Sequence, residues 1–282
     1  VDVVTDGSTH HEIAVPALKA GKHALVEKPL GITMRACRAM IDAAHASGAV
    51  LATAENYRRD PPNRLVRAVL DAGVLGKLHT MLQISVGGDD GIAITPWRHL
   101  KEKGAIGLDM GAHFADIIRY YTGEFELIFG TGMIVEPIRR RPQGYDDHPL
   151  LSYRERAKTY PDQIEATGED SVVALYRMSS GVFAQLTMTA GRGGRSWERS
   201  VHGQLGSLYS EGDRNGKPIR LVIEGSELVG QEILELVPGF ELNEITERLF
   251  GKRAVDYDMP EHEDHPGYAI DARHLAIEYH DF

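Results

Sequence analysis

Two strand-turn-helix units in succession, occupying the first 54 residues, limit the fold of this chain more than any other feature. Val1 to Val4 is a short apolar run, followed by Thr5-Asp6-Gly7-Ser8-Thr9-His10 as a turn, a helix expected over 11–20, and Gly21 as its stop. Pro16 falls inside that helix and predicts a kink. Ala24-Leu25-Val26 reads as a strand that ends at Glu27-Lys28-Pro29; a helix opened by Thr33 and closed near Gly48 follows, then a strand from Val50 to Ala54. Units joined by such short turns imply right-handed crossovers and a parallel sheet.

Ligands of parallel sheets bind beyond the carboxyl ends of the strands, which puts Glu27-Lys28-Pro29 and Asn56-Tyr57-Arg58 at a site edge. A strand-ending lysine is more often merely solvent-facing. Pro29 restricts Lys28 to an extended backbone and so fixes the direction in which its side chain leaves.

From Asp60-Pro61, an N-cap with proline at the first helical position, a helix is expected to about Ala72. The texture then changes. Leu78, Thr80, Leu82, Ile84 and Val86 alternate with mostly polar neighbours, the pattern of a strand with one buried face. Further strands are expected over 126–135, 171–178, 182–190, 198–203, 207–210 and 219–223, with Ser179-Ser180-Gly181 linking two of them as a hairpin. The predicted organisation is α/β over 1–56 followed by an α+β domain over 57–282. The second sheet is mainly antiparallel, with one face open for pairing with a second subunit. Residues 136–169, charged and weakly periodic, read as a lid or an insertion, and 226–264 as acidic and mixed.

The stretch from Gly104 to Gly123 is the expected centre of the chemistry. Read as a helix, it sets Met110, Phe114, Ile117, Ile118 and Tyr121 on one side and Asp109, His113, Asp116 and Tyr120 on the adjoining one. Gly107 and Gly111 cost such a helix roughly 1 kcal/mol each relative to alanine, so each implies a close neighbour, cofactor or backbone. Asp109 and His113, four apart, can touch, and a carboxylate-braced imidazole is a general base. A simple ion pair fits the same spacing. A metal on Asp109, His113 and Asp116 lacks a clear fourth ligand, and none is expected.

A formal charge of −10 and one short basic run, Arg139 to Arg141, argue against a nucleic-acid partner. No segment reaches the roughly 18 to 20 apolar residues of a membrane span, and no export segment is visible, so a cytoplasmic location is expected. Cys37, the single cysteine, falls on the apolar side of a helix and excludes an intrachain disulfide. A start at Val1 inside a strand and an end at Phe282 inside a helix read as a fragment cut at both ends.

An ordered set of residues resembles one family, that of glucose-fructose oxidoreductase, inositol dehydrogenase and MocA. The set runs through Val3-Val4-Thr5 with His10, Ala20-Gly21-Lys22-His23, Glu27-Lys28-Pro29-Leu30, Tyr57-Arg58, Gly76-Lys77, Trp97-Arg98, the G-x-x-x-x-D-x-x-x-H segment from Gly104 to His113, and Gly203 with Gly206-Ser207. The resemblance implies a partial Rossmann-type domain, an open-faced α+β domain, and oxidation of a sugar or polyol hydroxyl with NAD or NADP. Carried over, Lys28, Asp109 and His113 are the catalytic trio, with Asp109 orienting His113. Thr5, His10, Glu27, Lys28 and Arg98 match cofactor-facing positions.

Two departures stand out. The family usually has Pro where this chain has Asp6, and the fingerprint G-x-G-x-x-G is absent; Gly191-Arg192-Gly193-Gly194 does not follow a parallel strand and is no substitute. NAD and NADP are therefore not distinguished. The same fold also serves NAD-assisted glycoside cleavage or elimination in some relatives, and a non-catalytic fragment is the third reading.

Overall fold

The structure, a computed structural model, describes residues 1–143, 151–252, 255–257 and 266–282. Its first part is a three-stranded parallel sheet of β1 (Asp2–Val3), β2 (Ala24–Glu27) and β3 (Leu51–Ala54), in that order, with α1 (His10–Lys19) and α2 (Met34–Ser47) as the crossovers. The Thr33 hydroxyl accepts the Ala36 N–H at 3.2 Å, and Gly48 ends α2 at φ 68°. Val3, Val26, Leu18 and Met40 form the core of this part.

The second part is an eight-stranded sheet. Its strands are β4 (Leu78–Val86), β5 (Phe125–Met133), β8 (Ser171–Met178), β9 (Phe183–Thr189), β10 (Ser196–Gly203), β11 (Gly206–Ser210), β12 (Arg220–Ile223) and β13 (Ser226–Val229). Their order is β13-β12-β11-β10-β4-β9-β8-β5, with β4 and β9 the parallel pair and the other neighbours antiparallel. Met81, Leu186, Met188 and Val201 turn one face toward α3 (Pro61–Asp71) and α4 (Ala105–Thr122), which contribute Leu65, Val69, Phe114 and Ile117. On the other face the register sets Phe129 opposite Leu175 and Arg177 opposite Phe183, and these three apolar side chains are 51–72% exposed.

Residues 136–169, expected as a lid or an insertion, contain β6 (Ile138–Arg140) paired antiparallel with β7 (Gln163–Glu165), and α5 (Leu151–Ala157). Ala157 and Tyr160 pack on Ile92 as a separate small core. β13 lies in the stretch expected to be merely mixed. Helices α6 (Glu244–Phe250) and α7 (Pro266–Asp281) complete the chain. Asp60 does not cap α3 with its side chain: its carboxylate accepts the Arg214 N–H at 2.8 Å and the Tyr257 hydroxyl at 2.7 Å.

Candidate active site

The carboxyl ends of β1, β2 and β3 and the first half of α4 open onto one cavity of about 760 Å³. Thr5, Glu27, Lys28, Arg98, Asp109 and His113 all line it. Lys28 follows β2 directly, ahead of a cis peptide to Pro29. Its ammonium donates to the Asp109 carboxylate at 3.0 Å and to the Asp109 carbonyl at 3.1 Å. Arg98 donates to the other Asp109 oxygen at 2.9 Å. Burial alone would raise the Asp109 carboxyl, but the adjacent Lys28 and Arg98 charges and their hydrogen bonds hold it below the usual carboxylate range.

His113 takes a different partner from the one its spacing suggests. Its Nδ1 lies 2.7 Å from one Glu55 oxygen and 2.9 Å from the other, in a buried contact. Glu55 follows β3 as Lys28 follows β2, and it also accepts the Tyr57 N–H at 2.9 Å. Burial pushes the Glu55 carboxyl up, yet the hydrogen bonds from His113 and the Tyr57 N–H and the nearby charge of Lys28 hold it below the usual carboxylate range. The Tyr57 ring stacks on the imidazole, with centroids 4.1 Å apart and 4° between planes, so both torsions of His113 are fixed. With Nδ1–H donated to Glu55, Nε2 carries the lone pair, and no described residue hydrogen-bonds it.

The expectation that Asp109 orients His113 is therefore corrected: Asp109 clamps Lys28 and Arg98, and Glu55 holds the imidazole. Two full cations compete for the Asp109 carboxylate, and a charge-assisted bond to either outweighs one to a neutral ring. His10, expected to face the cofactor, is 1% exposed and does not line the cavity; its ring nitrogens face the Pro29 and Thr5 carbonyls at 3.0 and 3.1 Å. It fixes the two loops that present Thr5 and Lys28. Asp6, in the place of the family's proline, binds the Ser8 N–H at 3.1 Å and lies 3.4 Å from the Lys103 ammonium, tying the first turn to the segment before α4. Asp116 pairs with Arg58, away from His113.

Sequence reasoning missed Glu55, Arg214 and Glu278, which belong to or adjoin this site. Glu55 had a usable signal, since it sits one residue past the strand end at which Asn56-Tyr57-Arg58 was already placed. Arg214 lies in a loop and Glu278 near the end of the chain, where no local pattern pointed to a cavity.

Residues 63–209, more than half of the chain, match the GFO/IDH/MocA C-terminal domain, and residues 1–55 match the oxidoreductase family's NAD-binding Rossmann fold. Levoglucosan dehydrogenase of Pseudarthrobacter phenanthrenivorans is 28% identical over 221 residues, 76% of this chain and 55% of the relative. Myo-inositol 2-dehydrogenase of Thermotoga maritima is 31% identical over 134 residues, 47% of this chain and 39% of the relative. The chain thus spans about half the length of these relatives. Among solved structures, levoglucosan dehydrogenase in complex with NADH and levoglucosan superposes with a TM-score of 0.70 at 22% identity, covering 100% of this chain and 69% of the other. An NAD binding oxidoreductase from Klebsiella pneumoniae gives 0.74 at 19% identity over 99% and 68%. With its parallel sheet, its open mixed sheet and both matching segments in order, the chain belongs to the GFO/IDH/MocA family of oxidoreductases.

Proposed function

We propose that this chain carries the catalytic cavity of a dehydrogenase that oxidises a hydroxyl of a sugar, polyol or related carbohydrate by hydride transfer, using NAD or NADP. The observation that carries the reading is the pairing of an imidazole braced on Nδ1 by a buried carboxylate with a clamped ammonium on the wall of the same cavity. The relatives named above act on levoglucosan and inositol, which supports a carbohydrate substrate.

In this scheme His113 Nε2 accepts the proton of the substrate hydroxyl, and Glu55 stabilises the imidazolium that forms. Lys28 donates to the same oxygen and offsets its developing negative charge; Asp109, itself bound by Arg98, holds the ammonium in place. Thr5, Glu27 and Lys28 at strand ends and Arg98 from the turn ahead of α4 are hydrogen-bonding and charged groups on the cavity wall, a set that fits the nicotinamide end of a dinucleotide. A bound nicotinamide supplies the hydride acceptor for the carbinol carbon. Glu27, whose carboxyl burial raises against the opposing charge of Lys28, is suited to a hydrogen bond with a neutral amide or hydroxyl.

The exposed face around Leu175 and Phe183 supports a homo-oligomer formed through the open sheet. The reaction is tested by screening sugars and polyols with NAD and NADP on the complete protein at the nicotinamide absorbance. Stoichiometric NADH or NADPH production with one of them is the expected result. Substrate consumption with no net change in absorbance would instead favour cofactor-assisted cleavage or elimination.

A further inference from the structure

A second group of side chains lines the same cavity and takes no part in the chemistry above. On α7, Asp271, Leu275 and Glu278 recur at four- and three-residue spacing, so one helical face is turned to the cavity. Arg214 reaches it from the loop after β11 with φ 54°, a conformation uncommon outside glycine. That conformation is held from several sides. The Arg214 N–H donates to Asp60, and the preceding Asp213 is gripped by the buried Arg199 at 2.8 Å and by Asn63 at 3.0 Å. The guanidinium donates to Asp271 and stacks over the Tyr57 ring, 4.9 Å from its centroid, behind the face that carries His113.

Three buried polar atoms on this wall have no hydrogen-bond partner among the described residues: Arg214 Nε, Glu278 Oε1 and Asn56 Oδ1. Glu278 is only 2% exposed, and the nearest cation, Arg59, stands 3.8 Å from its Oε1, beyond hydrogen-bonding reach. Buried polar atoms left in this state cost free energy unless a ligand satisfies them. One donor and two acceptors on the wall of a catalytic cavity match the hydroxyls of a polyol. The cations there are already engaged: Lys28 and Arg98 with Asp109, Arg214 with Asp271, and Arg156 is itself partnered. A carboxylate or phosphate on the substrate would have to compete with Asp109 and Asp271 for these cations and would face Glu278.

We propose that Glu278, with Arg214 and Asn56, is a specificity-determining group that binds hydroxyls away from the reacting carbon and selects an uncharged polyhydroxylated ring over its acid-bearing counterpart. The inference rests on the dehydrogenase reading and names the substrate class of that site. Burial, opposed by Arg59 and reinforced by Glu27 and Glu55, pushes the Glu278 carboxyl up to about 7, so it can donate to a hydroxyl as well as accept from one.

The test compares the complete protein with E278L and E278Q, using the best neutral sugar of the panel and the matching uronate. E278L is expected to raise KM for the neutral sugar about tenfold or more, a larger change than its effect on kcat, as loss of a ligand hydrogen bond away from the reacting atoms requires. E278Q, similar in shape and uncharged, is expected to narrow the preference for the neutral sugar over the uronate. An unchanged KM in folded E278L, or an unchanged preference in E278Q, overturns the proposal; should E278L fail to fold, E278Q decides. If the parent shows no nicotinamide turnover with any sugar, the dehydrogenase reading fails by itself. Direct binding of the same two sugars, followed by tryptophan fluorescence, then tests Glu278 alone: an equal preference in parent and E278Q, or no saturable binding, overturns it.

Discussion

A neutral imidazole that is to accept a proton on Nε2 must donate from Nδ1, and the Glu55 carboxylate at 2.7 Å is the acceptor that fixes this tautomer. Replacing Glu55 by Gln keeps a hydrogen bond but loses the charge that stabilises imidazolium, and is expected to lower kcat at least about tenfold, equivalent to about 1.4 kcal/mol. It should also shift the limb of the pH-rate profile that reports the base. Asp109→Asn should weaken catalysis through Lys28 and leave that limb in place. Stopped-flow pH profiles of the two variants separate the roles, and a limb that moves with Asp109→Asn alone would reverse the assignment. The four-residue spacing of Asp109 and His113 was legible; their separate allegiances were not. His113 binds a carboxylate 58 residues earlier, and Asp109 a lysine 81 residues earlier, contacts that only the meeting of β2, β3 and α4 creates.

The helix α4 positions both groups, and its glycines show how closely it packs. A Cβ on Gly107 would lie 2.7 Å from the Glu169 carbonyl, whose oxygen already accepts the Gly107 N–H at 2.9 Å. At Gly111 the nearest atom would be Met188 Sδ at 3.6 Å, an ordinary contact. Gly107→Ala is therefore expected to destabilise the fold by about 1–3 kcal/mol. Gly111→Ala should be neutral or stabilising by up to about 1 kcal/mol. Urea midpoints of the two variants check this. Both glycines had signalled a close neighbour in the sequence, and the structure supplies one at Gly107 alone. Strands such as β4 were readable because one face buries alternate residues. β6, β7 and β13 were not, because strands of three or four residues at an edge carry too little alternation to stand out.

At the scale of the molecule, the strand ends of the parallel sheet and the helices and loops of the second part together line one cavity, and the turn that ends at His99 adds Trp97 and Arg98 to its wall. Burial, with the charge of Arg139, lowers the His99 pKa to about 4, below the ordinary value near 6.5. Because the folded state disfavours the charged ring, its contribution to stability is present above the ordinary value and is lost as pH falls from about 6.5 through about 4. Thermal melts across that range should show it, and His99→Gln should flatten the fall. On the open face, Phe183→Asp is expected to turn an oligomer into protomers by sedimentation velocity, with the fold retained. The order of strands and helices was legible along the chain except at β6, α5, β7 and β13, whereas the cavity was legible only as strand ends and one helix stripe, since its walls come from segments far apart in sequence. The most direct measurement is kcat for His113→Ala in the complete protein with its best sugar. A loss of roughly 10² to 10⁴ with the fold intact is expected, as removal of a general base gives; turnover at the parental rate would rule out His113 as the base.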